Sequence, residues 1–145
     1  MTRVFLDANI YFCGFFSKEG ASAVILKLAR RKKLNLIASH LVLLEADRNL
    51  RRKTTRKTVK AFHRFLKETK IEVVPPPEDK ILKRYESYIH PKDVPVLTAA
   101  CEAKAQYLIT LDRKHFLRDE VLSCAHKIKI LTPGDFLHLY LQMKV

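Results

Sequence analysis

Arg3-Val4-Phe5-Leu6-Asp7-Ala8-Asn9 is an apolar run that leads straight into a carboxylate, with an amide two residues further on. It reads as a short buried strand with Asp7 at its carboxyl end, where ligands bind in open α/β sheets. Working outward, residues 34–38, 71–74, 107–110 and 128–131 are further short apolar runs of strand character. Longer stretches at helical spacing lie between them. Residues 21–33 place Val24, Ile25, Leu28 and Ala29 on one face, and end in four cations that suit a helix C-terminus. Ser39 is placed to cap a helix running to about Arg52, with Leu41, Leu44, Glu45 and Arg48 along one side. Thr54-Thr55 reads as a break before a helix whose apolar face is Val59, Phe62, Phe65 and Leu66. Pro75-Pro76-Pro77 stops the third strand, since three prolines continue neither helix nor sheet. Residues 78–89 and 93–104 read as helices, the second tolerating Pro95 in its first turn. Residues 113–125 read as partly helical. Thr132 with Asp135 three residues on reads as a capping box for the last helix.

This alternation predicts an α/β fold, three-layer α/β/α with a central, mainly parallel short-stranded sheet, as a single domain over 1–145. With 3 glycines and no Gly-rich phosphate loop, nucleotide-cofactor folds find no support.

The chain carries 28 Lys and Arg against 15 Asp and Glu, a net +13 that favours a polyanionic partner, most simply nucleic acid. Apolar residues at 48% exclude a disordered chain, and no run is long enough to span a membrane. Asp7 interrupts the N-terminal apolar run too early for a signal peptide. A cytoplasmic protein with no membrane partner is the expectation. Cys13, Cys101 and Cys124 lack metal-ligand spacing and read as free thiols, buried or half-buried. No acid occurs between Arg48 and Lys67, while Arg48, Arg51, Arg52, Lys53, Arg56, Lys57, Lys60, Arg64 and Lys67 all fall there. A solvated helix face accounts for that run, but the missing acids favour a phosphate-contacting surface.

Asp7 and Asp112 end apolar strands, Asp93 starts a helix, and Glu45 sits two turns into one, among apolar neighbours. In a parallel sheet these positions share one edge. Crowded carboxylates repel, and in so basic a chain each could have met a cation instead. Convergence of all four makes sense around a hard dication such as Mg²⁺ or Mn²⁺, which takes carboxylates, waters and substrate phosphate. Asn9 and Thr110 are placed to orient the acids by hydrogen bonds. By spacing alone, salt bridges to the abundant cations explain the acids equally well.

Four segments resemble the PIN-domain family, which includes the toxin ribonucleases of VapBC-type toxin–antitoxin pairs. They are Val4-Phe5-Leu6-Asp7-Ala8-Asn9, Leu41-Val42-Leu43-Leu44-Glu45, the stretch from Pro91 through Asp93 to Ala100, and Leu108-Ile109-Thr110-Leu111-Asp112-Arg113-Lys114-His115-Phe116. They occur in the family's order across almost the whole chain, and Leu131-Thr132-Pro133-Gly134-Asp135-Phe136-Leu137 is similar to its last strand and helix. The resemblance implies a small metal-dependent nuclease with Mg²⁺ or Mn²⁺ at Asp7, Glu45, Asp93 and Asp112, Asn9 and Thr110 matching commonly polar positions. It implies hydrolysis of a phosphodiester, with RNA, an antitoxin protein and a second copy of the chain as candidate partners. Arg48, Arg51, Arg52, Lys53, Arg56, Lys57, Arg113 and Lys114 would guide the nucleic acid, and Tyr11, Phe12, Phe15 and Phe16 are candidate stacking partners, each equally explicable as core. The 48–67 stretch is more basic than expected of a small toxin, which keeps another nuclease branch open.

Three alternatives remain. A catalytically inactive PIN-like module would bind RNA or a partner without turnover. An aspartyl-phosphate phosphatase needs a second aspartate where Asn9 stands. A metal-free ribonuclease needs paired histidines, and His40, His63, His90, His115, His126 and His138 show no pattern in sequence.

Overall fold

A computed structural model of the chain describes residues 1–118, 121 and 127–143. Five strands, β1 (Arg3–Leu6), β2 (Asn35–Ser39), β3 (Glu72–Val74), β4 (Tyr107–Ile109) and β5 (Lys129–Leu131), form one sheet. Its order is β3-β2-β1-β4-β5 and every pair is parallel. Val4, Phe5 and Leu6 in the central strand are fully buried, as expected where helices cover both faces.

The helices are α1 (Ala8–Phe16), α2 (Ala21–Arg30), α3 (His40–Lys53), α4 (Arg56–Glu68), α5 (Asp79–Leu82), α6 (Val94–Glu102), α7 (Arg113–Phe116) and α8 (Pro133–Met143). With the strand order β3-β2-β1-β4-β5, the right-handed rule for parallel crossovers assigns the β1–β2 and β2–β3 connections to one face and the β3–β4 connection to the other. The three-layer α/β/α architecture expected from the alternation of runs follows. On the first face α1 packs against α2, α3 and α4; α6 packs against β2.

Ser39 and Thr132 cap helices as expected, and Thr55, expected only as part of a break, caps one as well. The Ser39 hydroxyl accepts from the Val42 N–H, that of Thr55 from Thr58, and that of Thr132 from Asp135. Two helices end on a lysine in the left-handed region, Lys32 (φ 60°) and Lys104 (φ 57°). The residue after each reaches back to a carbonyl of the last helical turn, Lys33 to Leu28 and Ala105 to Ala100, closing a Schellman-type turn normally built on glycine.

Two expectations change. Residues 78–89 read as one helix in sequence, but regular helix stops at Leu82. Ile81, Leu82 and Tyr85 are only half-buried, too little packing to hold a helix whose own propensity is marginal. The 93–104 helix is preceded by a 3-10 turn, Pro91–Asp93, so Asp93 sits at a junction of two helix types. The expectation of partial helix through 113–125 is met by α7; residues 119–120 and 122–126, with Cys124, lie outside the described residues. Cys13 and Cys101 are half-buried, as expected. Among the described residues no helix is long and apolar enough to cross a membrane.

Candidate active site

The strand order reverses between β1 and β4, and a crevice opens at the carboxyl ends of strands at such a switch point. The two strands that flank it deliver the acids: Asp7 follows β1, and Thr110 to Asp112 follow β4. The backbone joins them directly, the Asp7 N–H donating to the Ile109 carbonyl at 3.0 Å.

Asp7 is 8% exposed and caps α1, one oxygen (Oδ1) accepting from the Ala8 N–H at 2.8 Å. Its Oδ2 accepts from the buried Thr110 hydroxyl at 2.8 Å and, at 3.4 Å, from the Asn9 amide. Thr110 Oγ1 in turn accepts the Asp112 N–H at 3.1 Å, and Asn9 Oδ1 accepts the Leu111 N–H at 3.3 Å. Both side chains read as orienting groups therefore bond on two sides, tying the β1 acid to the β4 loop. All of these donors are neutral, so the Asp7 charge is solvated but not cancelled. Burial pushes its carboxyl from 3.8 up to about 6, against the lowering effect of the Thr110 and Ala8 bonds, and the charges of Glu45 and Asp93 add to the rise.

Asp93 is held above the usual carboxylate range by burial and then by the Asp112 charge, with His115, His90 and Lys92 opposing. The acids thus form an electrostatic chain, Glu45 and Asp93 acting on Asp7 and Asp112 acting on Asp93. The tightest part is a triad: ligand-capable atoms of Asp93, Asp112 and His115 all lie within 4.8 Å of one another. Asp7 and Glu45 stand outside that triad.

His115 is the residue that sequence reasoning missed. Its Nδ1 lies 2.9 Å from Asp112 Oδ2 and 3.1 Å from Asp93 Oδ2, and its backbone N–H donates to Asp112 Oδ1 at 2.9 Å. The ring of His90 stacks on it at 4.9 Å. The available signal was spacing: Asp112 and His115 are three residues apart at the mouth of a helix, which puts both side chains on one face. Asp93 Oδ2 is buried and lacks a hydrogen-bond partner despite its nearness to Nδ1. A buried carboxylate oxygen with an unused lone pair, beside a second carboxylate, fits a divalent cation held by oxygen donors.

The cations divide. Arg48 and Arg52 follow Glu45 at three and seven residues on α3, hence on its side of the helix, the farther one about 10 Å along the axis. Arg113 and Lys114 directly follow Asp112 and are exposed. Arg51 is paired with Asp47 at 2.7 Å, and the Lys53 ammonium sits 5.5 Å above the Phe12 ring. Arg56 opens onto a cleft between α3 and α4, whereas Lys57 lines a separate groove of about 390 Å³ between α1, α2 and α4. The basic run therefore wraps α4 instead of forming one face. Of the four candidate stacking aromatics, Tyr11 is fully buried in the core, and Phe15, half-buried, packs edge-on between Phe62 and Phe65. Phe12 stacks on Phe16, which is 63% exposed.

A family model described as PIN domain matches residues 3–114. No curated protein matches the chain in sequence. Among solved structures, VapBC2 from Rickettsia felis bound to a DNA fragment from their promoter is similar with a TM-score of 0.62 at 15% identity, covering 90% of this chain and 98% of that one. FitAcB from Neisseria gonorrhoeae gives the same four values. VapBC-1 from nontypeable Haemophilus influenzae gives a TM-score of 0.58 at 15% identity, with 92% and 99% covered. At such identities the structural likeness speaks for the fold.

Proposed function

The chain belongs to the PIN-domain family, and from that premise we propose that it is a divalent-metal-dependent nuclease, an endoribonuclease acting on single-stranded or structured RNA. The observation that carries this reading is the buried Asp93 oxygen without a hydrogen-bond partner, beside Asp112 and His115 at the carboxyl edge of the sheet where Asp7 also emerges.

Asp7, Asp93, Asp112 and Glu45 are the residues assigned to hold Mg²⁺ or Mn²⁺, which when bound lowers the pKa of water and stabilises charge on a phosphodiester. Thr110 and Asn9 fix the Asp7 carboxylate and the 111–112 backbone against each other, so the acids are pre-aimed. Glu45, half-buried and near enough for its charge to act on Asp7, is the candidate acceptor of the attacking water's proton. Arg48 and Arg52 run away from Glu45 along α3 and are assigned to the RNA backbone with Arg113 and Lys114. Phe16 is the remaining candidate for base stacking. The VapBC and FitAcB likeness supports an antitoxin as protein partner, this chain being the toxin. Co-expression with the product of a neighbouring small gene, followed by co-purification, checks that partner.

The deciding experiment titrates Mg²⁺ and Mn²⁺ against labelled single-stranded RNA and DNA. Metal-dependent RNA cleavage that stops in excess chelator is expected. Cleavage that survives chelator overturns the metal mechanism, and binding without turnover at any metal concentration turns the reading into the inactive module.

The double variant Arg48→Ala/Arg52→Ala is expected to weaken RNA binding alike for all sequences. It should flatten the salt dependence of log K by about 1.4, from about 0.7 for each single-strand phosphate that is no longer neutralised. Lys57→Ala, on the groove side of α4, should leave that slope unchanged. Filter binding from low to moderate salt measures both; equal slopes for all three proteins would remove α3 from the RNA path.

A further inference from the structure

We propose that His115 Nδ1 is a nitrogen ligand of the metal centre alongside Asp93 and Asp112, and that this imidazole biases the centre toward first-row transition dications, Mn²⁺ among them, over Mg²⁺. The inference rests on the metal-centre reading above and adds a donor that no carboxylate constellation supplies.

An octahedral ion with ligand bonds of about 2.0–2.1 Å separates donors at right angles by about 2.9 Å. His115 Nδ1 lies 2.9 Å from Asp112 Oδ2 and 3.1 Å from Asp93 Oδ2. Both separations match those of neighbouring vertices around one ion. The 3.1 Å approach to Asp93 does not make a hydrogen bond, so Asp93 Oδ2 keeps its lone pair for another partner. A cation shared with His115 Nδ1 and Asp112, whose ligand atoms lie with Asp93's within 4.8 Å of one another, would give that oxygen a partner.

The imidazole is also held in place. Its ring stacks on His90 at 4.9 Å and 25°. The Lys92 N–H donates to His90 Nδ1 at 3.1 Å, which fixes the stacking partner. The Asp112 carboxylate is pinned at the same time, since its other oxygen accepts the His115 N–H. One short helix start therefore presents an oxygen and a nitrogen donor together. Ligation through Nδ1 requires the ring proton on Nε2.

Selectivity follows from donor chemistry. Mg²⁺ takes oxygen donors and gives up its waters reluctantly, so a nitrogen adds little to its binding. First-row transition dications accept imidazole readily.

The test uses the full chain, freed of metal and loaded with Mn²⁺ or Mg²⁺ alone. His115→Ala removes the ring; His115→Phe keeps a ring to stack on His90 and removes only the nitrogens. Calorimetry should show Mn²⁺ affinity falling by about 10-fold or more in both variants, the loss typical of a disrupted metal shell. Mg²⁺ affinity should change by less than about threefold, because oxygen donors carry it. Pulsed electron paramagnetic resonance of the Mn²⁺-loaded wild type should show a nitrogen hyperfine coupling that both variants lose. A coupling absent from wild type, or one that persists in both variants, overturns the assignment of His115, as does an equal loss of affinity for the two ions. A wild type that binds neither ion overturns the metal centre itself, which keeps the two failures distinguishable.

Discussion

Asp7→Asn is expected to lose nearly all RNA cleavage and yet to melt later than wild type at pH 7 when both are free of metal. The two effects have one origin. Burial, with the charges of two further acids, pushes the Asp7 carboxyl from 3.8 to about 6, and the hydrogen bonds from neutral Thr110 and Ala8 offset only part of the rise. A carboxyl whose pKa is raised on folding binds its proton more tightly in the folded chain, and ionising it weakens the fold. The penalty is absent below about pH 3.8, grows as pH rises toward about 6, and is constant above that. At 1.36 kcal/mol per pKa unit it amounts to at most about 3 kcal/mol at pH 7. The asparagine side chain is neutral, keeps an oxygen for the Ala8 N–H and escapes the penalty. Urea melts in chelator should therefore show the variant more stable at pH 7 and level with wild type near pH 3.5. Added Mg²⁺ or Mn²⁺ should stabilise wild type by mass action and the variant far less. Activity should fall by more than the roughly 10–100-fold that losing an outer partner of a metal site brings. Equal stability at pH 7 would mean that the charge is already compensated, and equal cleavage would remove Asp7 from the chemistry.

Phe62→Ala is expected to destabilise the fold by about 3–5 kcal/mol, the range for a fully buried aromatic cut to a methyl. Phe62 has no solvent exposure and meets Tyr11 and Phe15 edge-on, with ring centroids 6.0 and 5.5 Å away. These contacts join α4 to α1. Against a total stability of about 5–15 kcal/mol for a domain, the loss removes a large share. It should reach function as well, because α4 packs against α3, where His63 also meets Asp47, and α3 carries Glu45, Arg48 and Arg52. Urea denaturation should show the lowered midpoint, and hydrogen exchange should show α4 and the end of α3 losing protection together. A loss under about 1 kcal/mol would mean that the site collapses around the gap without penalty.

The parallel three-layer fold was legible because it rests on short-range rules: apolar runs ended by proline or by a capping Ser or Thr, and helical periodicity between them. The capping roles of Ser39, Thr55 and Thr132 are set within three residues of chain, so local sequence contains all the information they need. The same holds for Asp7 and Asp112 at strand ends, since in a parallel sheet the direction of the strand decides the edge at which its last residue emerges.

Other features depend on which elements become neighbours, and residue order does not state that. His115 becomes part of the acid cluster only because the Pro91–Asp93 turn brings Asp93 against the start of α7. The basic run divides because α4 is flanked by α3 on one side and by α1 and α2 on the other, so cations adjacent in sequence face different grooves. Tyr11 sits in the core because Phe62 covers it, while Phe16 stays exposed five residues on. Amino-acid order by itself determined the strands, their caps and the edge at which the acids emerge, through forces acting over a few residues. Tertiary packing alone decided which nitrogen meets those acids, which cations lie along the same helix side as Glu45 and how far Asp7 is desolvated, because burial and charge coupling depend on distances between segments far apart in the chain.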